Sequence, residues 1–199
     1  MPLTIREAKD QILIFINEAE KCLHLDCGYS AVTTLFSVIL AVSEALMGKL
    51  SVRKRYSEDT LINYFVDLMD DKEWFISKEP NNLVDAEIKK YLYDLRNGLS
   101  HQLSLPQEIG LISTAADLDR LTRLDVLYYI SVEGFIASVK STVEKIIKDD
   151  ELSTREMDPN HESFPLGSPR EIGSRLVVRC LNGLTTSGSA VESRIISSE

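Results

Sequence analysis

Ala31-Val32-Thr33-Thr34-Leu35-Phe36-Ser37-Val38-Ile39-Leu40-Ala41-Val42 is the stretch on which the fold turns. Wound as a helix it is apolar on almost every side, the mark of a helix surrounded by other helices. The helix runs from about Ser30 to Met47 and stops at Gly48, a residue suited to a helix C-terminus. No run of about 18 uninterrupted apolar residues occurs, so the reading is a bundle core rather than a membrane span.

Working outward, the preceding segment opens with Thr4 and Glu7 in capping-box spacing. Ile5, Ala8, Ile12, Phe15, Ile16, Ala19, Cys22 and Leu23 then recur at three- and four-residue intervals, one face of a helix. On the other side, Ser57 with Glu58 and Asp59 marks a helix start, where acidic side chains complement the dipole. That helix carries Leu61, Ile62, Tyr64, Phe65, Leu68 and Met69. Trp74-Phe75-Ile76 form an apolar knot before Pro80, and Asn82 caps a fourth helix carrying Ile88, Tyr91, Leu92 and Leu95. Residues 105–116 read as a connector with a short extended piece at Ile109–Ile112, and Thr122 with Asp125 opens a last long helix to about Lys148, with Leu124, Leu127, Ile130, Phe135, Val139, Val143, Ile146 and Ile147 available for the core. Residues 1–150 are thus expected to be all-α, an antiparallel four- to five-helix bundle. Residues 151–199 hold three of the six prolines, four of the nine glycines and nine serines, without helical period, and read as a low-order tail.

Composition narrows the function. With 22 Lys and Arg against 31 Asp and Glu, the net charge of −9 argues against non-specific coating of nucleic acid, though not against a local site. Cys22, Cys27 and Cys180 form no CxxC pair, so neither a disulfide framework nor a zinc site is indicated. The start MPLTIREAKDQ has no apolar signal region, which suggests a cytoplasmic protein. Asp70, Asp71 and Glu73 lack a matching ligand set, and no phosphate-binding glycine loop or nucleophile elbow occurs, so neither a metal nor a cofactor is assigned.

One constellation carries chemistry: Arg96-Asn97-Gly98-Leu99-Ser100-His101. A permanent guanidinium charge and an imidazole that titrates near neutrality suit a phosphodiester, one neutralising developing charge and the other moving protons. The blander reading is that both cap the end of the fourth helix. On an ideal α-helix positions 96 and 101 stand about 140° apart, an offset that Gly98 could relax. His24 reads as a helix-end residue and His161 lies in the tail.

Leu95-Arg96-Asn97-Gly98-Leu99-Ser100-His101 resembles the R-x(4–6)-H motif of the HEPN superfamily, in which a polar residue commonly follows the arginine. The resemblance covers roughly residues 5–148 as a helical bundle. It implies a metal-independent endoribonuclease in which Arg96 stabilises the pentacoordinate phosphate, His101 acts as general acid or base and Asn97 orients one of them. The RNA 2′-OH would attack the adjacent phosphate to leave a 2′,3′-cyclic phosphate. The family sets two motifs face to face, which implies a homodimer, and a toxin–antitoxin or anti-phage setting with an antitoxin or other regulatory protein as partner. A toxin subgroup carries Tyr two residues after the His, where this chain has Leu103.

Supporting candidates are weaker. Glu44, the one charge in the second helix, could orient Arg96 or simply sit at the helix edge. Lys49, Arg53, Lys54 and Arg55 could hold an RNA backbone or form a solvated loop. Tyr91 and Tyr93 could stack on a base, although Tyr91 fits the core face. The rival readings are a non-catalytic HEPN-like module that binds RNA or protein, and a plain helical interaction protein with a coincidental motif.

Overall fold

The computed structural model describes residues 3–48, 56–77, 85–102, 105–115 and 126–157, with 101–102 by backbone alone. Helices dominate: α1 (Lys9–His24), α2 (Gly28–Met47), α3 (Glu58–Leu68), α4 (Asp85–Asn97) and α5 (Val132–Lys148). A small sheet accompanies them, made of β1 (Phe75–Ser77), β2 (Ile109–Ile112) and β3 (Tyr128–Ser131) in the order β1-β3-β2.

α2 is the centre, packed against α1, α3 and α5. Val32, Leu35, Phe36, Val38, Ile39, Leu40 and Val42 are all buried, so no side of the helix from 31 to 42 faces water continuously. The helix is long and apolar enough to cross a membrane, but 78% of that window lies inside the protein. At its end Gly48 takes φ 74°, a left-handed conformation that glycine adopts without a Cβ penalty.

Of the expected starts, α3 begins behind Ser57, whereas the one read at Thr4 is a turn over residues 5–8, and α1 begins at Lys9 behind an Ala8 that makes no side-chain cap. Thr4 N–H and hydroxyl both donate to Glu7 Oε2, at 2.8 and 2.9 Å, while Glu7 N–H donates back to Thr4 Oγ1. Ser57 caps α3, its Oγ accepting from Thr60 N–H at 3.2 Å. Two ion pairs lace α3 to α4. Lys89 Nζ lies 2.5 Å from Asp67 Oδ1 towards one end, and Arg96 Nη2 pairs with Glu58 Oε1 at the other.

The sheet corrects the all-helical expectation. The last helix starts at Val132, and what precedes it, Tyr128–Ser131, is a strand. Phe75 pairs antiparallel with Ile130, and Ile109 pairs parallel with Tyr128. Aromatic and β-branched residues at 128–130 fit a strand with neighbours on both sides, and Ser131 caps α5 by accepting from Gly134 N–H at 3.3 Å. Leu127, expected in the core, is 41% exposed. The apolar knot at 74–76 has become β1 with Trp74, whose ring packs on Phe135 at 4.6 Å between centroids. The extended piece at Ile109–Ile112 is β2.

The body also runs past the expected boundary at 150. Ile5 N–H donates to Arg155 O and Arg6 N–H to Ser153 O, both at 2.9 Å, and Met157 N–H donates to Leu3 O at 2.7 Å. Met157 is buried in the same core as Ile5. These seven residues close the start of the chain against the end of α5. The possible strand at 176–181 lies outside the described residues, as do Asn82, Thr122 and Asp125.

Candidate functional site

Arg96 stands in the last turn of α4, where the helix dipole favours a positive charge. Leu92 and Leu95 anchor that turn in the core, and the Arg96 side chain is only 13% exposed. A guanidinium so far removed from water needs a compensating charge. Glu58 supplies it: Arg96 Nη2 donates to Glu58 Oε1. Asn97, half-buried beside it, accepts a long hydrogen bond of 3.5 Å from Arg96 Nη1.

Glu58 was visible in the sequence only as an acid at a helix N-terminus. Its second role depends on α4 packing against α3, which no local pattern reveals. The Ser57 cap fixes the first turn of α3, so the carboxylate partner of Arg96 is carried by a helix rather than a loop.

Beyond Asn97 the chain does not stop being helical but changes its winding. Gly98–Gln102 form a π-helical turn. Such a turn closes its hydrogen bonds five residues apart instead of four, and it occurs often at functional sites. The wider winding lowers the angular step per residue, so the offset between positions 96 and 101 falls below the roughly 140° of an α-helix. His101 thus has its backbone in the π-turn, continuous with Arg96. Leu99 holds the turn to the core and Ser100 is exposed.

Two further elements border this region. Glu44 is half-buried in the last turn of α2, which packs against the π-turn as well as α3. Tyr56 Oη donates to Met47 O at 3.3 Å, bringing together the two ends of the connection that carries Lys49, Arg53, Lys54 and Arg55. Those four residues lie outside the described residues.

No family model matches the chain, and no curated protein or solved structure matches it. The chemistry available here is therefore that of the residues themselves. A guanidinium oriented by a carboxylate can take a phosphate. Among the described residues no three His, Cys, Asp or Glu side chains gather as a metal-binding group.

The tyrosines belong elsewhere. Tyr91 packs against Tyr128 at 4.4 Å and Phe75 at 6.1 Å between ring centroids. Burial, then hydrogen bonding with Tyr128 and Glu108, pushes its hydroxyl far above the usual phenol range, so it stays protonated. Tyr93 is half-buried against the core. His24 is the exposed last residue of α1, and His161 lies outside the described residues.

Proposed function

We propose that the protein is a metal-independent endoribonuclease of HEPN type. The observation that carries this reading is Arg96, a nearly buried guanidinium at the end of α4, followed directly by a π-wound turn that contains position 101. In the proposed reaction His101 takes a proton from the RNA 2′-OH, which attacks the adjacent phosphorus. Arg96 neutralises the charge gathering on the non-bridging oxygens, and the 5′-oxygen leaves with a proton, giving a 2′,3′-cyclic phosphate. Asn97 steadies Arg96, Glu44 supports it from α2, and Lys49, Arg53, Lys54 and Arg55 track the RNA backbone. The five helices are read as an antiparallel bundle, since residues 25–27 alone join α1 to α2 and the two ion pairs between α3 and α4 match the start of each to the end of the other. Two copies would set their motifs face to face in a cytoplasmic homodimer, in a toxin–antitoxin or anti-phage setting with an antitoxin or other regulatory protein.

The second reading is a non-catalytic HEPN-like module that binds RNA or protein. The Glu58–Arg96 pair favours it, because a guanidinium already engaged by a carboxylate can serve as a tertiary link between helices.

Cleavage of a mixed RNA pool in EDTA by the wild type, Arg96→Ala and His101→Ala separates the two. Cyclic-phosphate products from the wild type alone support the nuclease. Equal cleavage by all three sinks the assignment, and a folded dimer that cuts nothing favours the binding module.

A further inference from the structure

The Glu58–Arg96 pair is one of several links between α3 and α4. The same helices are already joined by Lys89 and Asp67, at 2.5 Å, and by Ile62, Phe65, Leu92 and Leu95 in the common core. The two ion pairs differ in burial. Lys89 and Asp67 are 22% and 56% exposed, whereas Arg96 is 13% exposed against 37% for Glu58. The guanidinium is thus the more desolvated partner, to whose charge balance the carboxylate contributes, while Glu58 keeps water.

Placement sharpens the difference. Glu58 is the first residue of α3, in a turn fixed by the Ser57 cap. Arg96 is in the last turn of α4, two positions before the π-turn opens at Gly98. A planar guanidinium held at Nη2 by a helix-borne carboxylate and at Nη1 by Asn97 has its orientation restrained, the condition for meeting a phosphate with a defined geometry. Groups fixed before the reaction begins need no reorganisation as charge develops.

We propose that Glu58 is a positioning residue for Arg96, holding the guanidinium plane in the orientation in which it meets a scissile phosphodiester. This rests on the reading of Arg96 as the phosphate-binding group. Glu58 itself touches neither substrate nor the reacting atoms.

The test compares Glu58→Gln, Glu58→Asp and the control Lys89→Met with the wild type, using a short labelled RNA for kinetics and side-chain NMR of the Arg96 guanidinium. Glu58→Gln is expected to lower kcat by about tenfold or more with KM within about threefold of wild type. Glu58→Asp restores part of kcat, and Lys89→Met keeps it although it breaks the other ion pair. In the NMR spectrum the Arg96 Nη protons are resolved in the wild type and averaged by rotation in Glu58→Gln. A wild-type kcat in Glu58→Gln, or an equal loss in Lys89→Met, overturns the proposal. Should the wild type cut no RNA, the nuclease reading falls while the NMR comparison still decides the positioning role. Averaging confined to Glu58→Gln supports that role, and identical spectra overturn it.

Discussion

Glu58 and Arg96 stand 38 positions apart in the chain and meet as an ion pair between the first residue of α3 and the last turn of α4. The pair places a desolvated guanidinium at a boundary between two kinds of helical winding. That boundary makes this end of the helices the candidate site, and it exposes the reading to substitutions that a general charge model would not distinguish.

Arg96→Lys is the first of these. Lysine keeps the positive charge but replaces a planar fork by a point charge, and it reaches carboxylate and phosphate with different geometry. The fold should survive, since Leu92 and Leu95 still anchor the turn. RNA cleavage should fall by about tenfold or more, the range over which small misplacements act. Equal cleavage rates for the wild type and the lysine variant would show that charge alone suffices.

Deletion of Ser100 probes the winding. Ser100 is the exposed residue of the π-turn, and removing one residue from such a turn returns it to α-helical spacing. The histidine would then follow Arg96 by four positions, about 40° from it on an α-helix and so on the same face. Circular dichroism should report unchanged helix content, and RNA cleavage should stay well above the level of His101→Ala. Cleavage as low as that of His101→Ala would show that the π-wound spacing itself is required.

Much of this architecture was legible before the fold was known, for reasons that particular residues make plain. The helix through Phe36 and Ile39 announces its central place because a chain apolar on all sides has no water-facing option. Ser57 and Gly48 mark helix ends through interactions that span three or four residues, whereas the capping-box spacing of Thr4 and Glu7 closes a turn ahead of α1. The strands at Phe75–Ser77 and Tyr128–Ser131 were hidden, because three or four residues carry no readable period and each is stabilised by the other across a long stretch of chain. Glu58 escaped for the same reason: its acidity was read locally while its partner is tertiary. The winding at Gly98–Gln102 was hinted at by Gly98 alone, since the residue types do not specify a period of five.

Acid should loosen the turn that leads into α1, in a way that follows from the Thr4–Glu7 contact. The Thr4 backbone N–H, and after it the Thr4 hydroxyl, hold the Glu7 carboxyl below its usual range. A carboxyl whose value is lowered by folding contributes stability that is full above the ordinary carboxylate range and is lost as pH falls through the lowered value. Thr4→Ala removes the hydroxyl but keeps the N–H, so the Glu7 midpoint, followed by carboxyl NMR, should rise part of the way to its ordinary value. Glu7→Gln should flatten that portion of the acid dependence of unfolding. A Glu7 midpoint unmoved by Thr4→Ala would mean that the hydroxyl contributes nothing to this turn.

Met157 tests where the body ends. Its side chain is 2% exposed and joins the core that includes Ile5, while its N–H donates to Leu3 O at 2.7 Å. Were residues beyond 150 only an appendage, trimming this side chain to alanine would leave stability unchanged. As part of the core, Met157→Ala removes buried methylenes and the thioether and leaves a cavity, with a cost of about 2–5 kcal/mol. Surface substitution of the neighbouring Glu156 should stay within about 0.5 kcal/mol. Chemical denaturation of the two variants measures the difference directly. A large loss for Met157→Ala alone places the turn at Leu152–Thr154 and the strand-like contact after it inside the cooperative unit, closing the first residues of the chain against the end of α5.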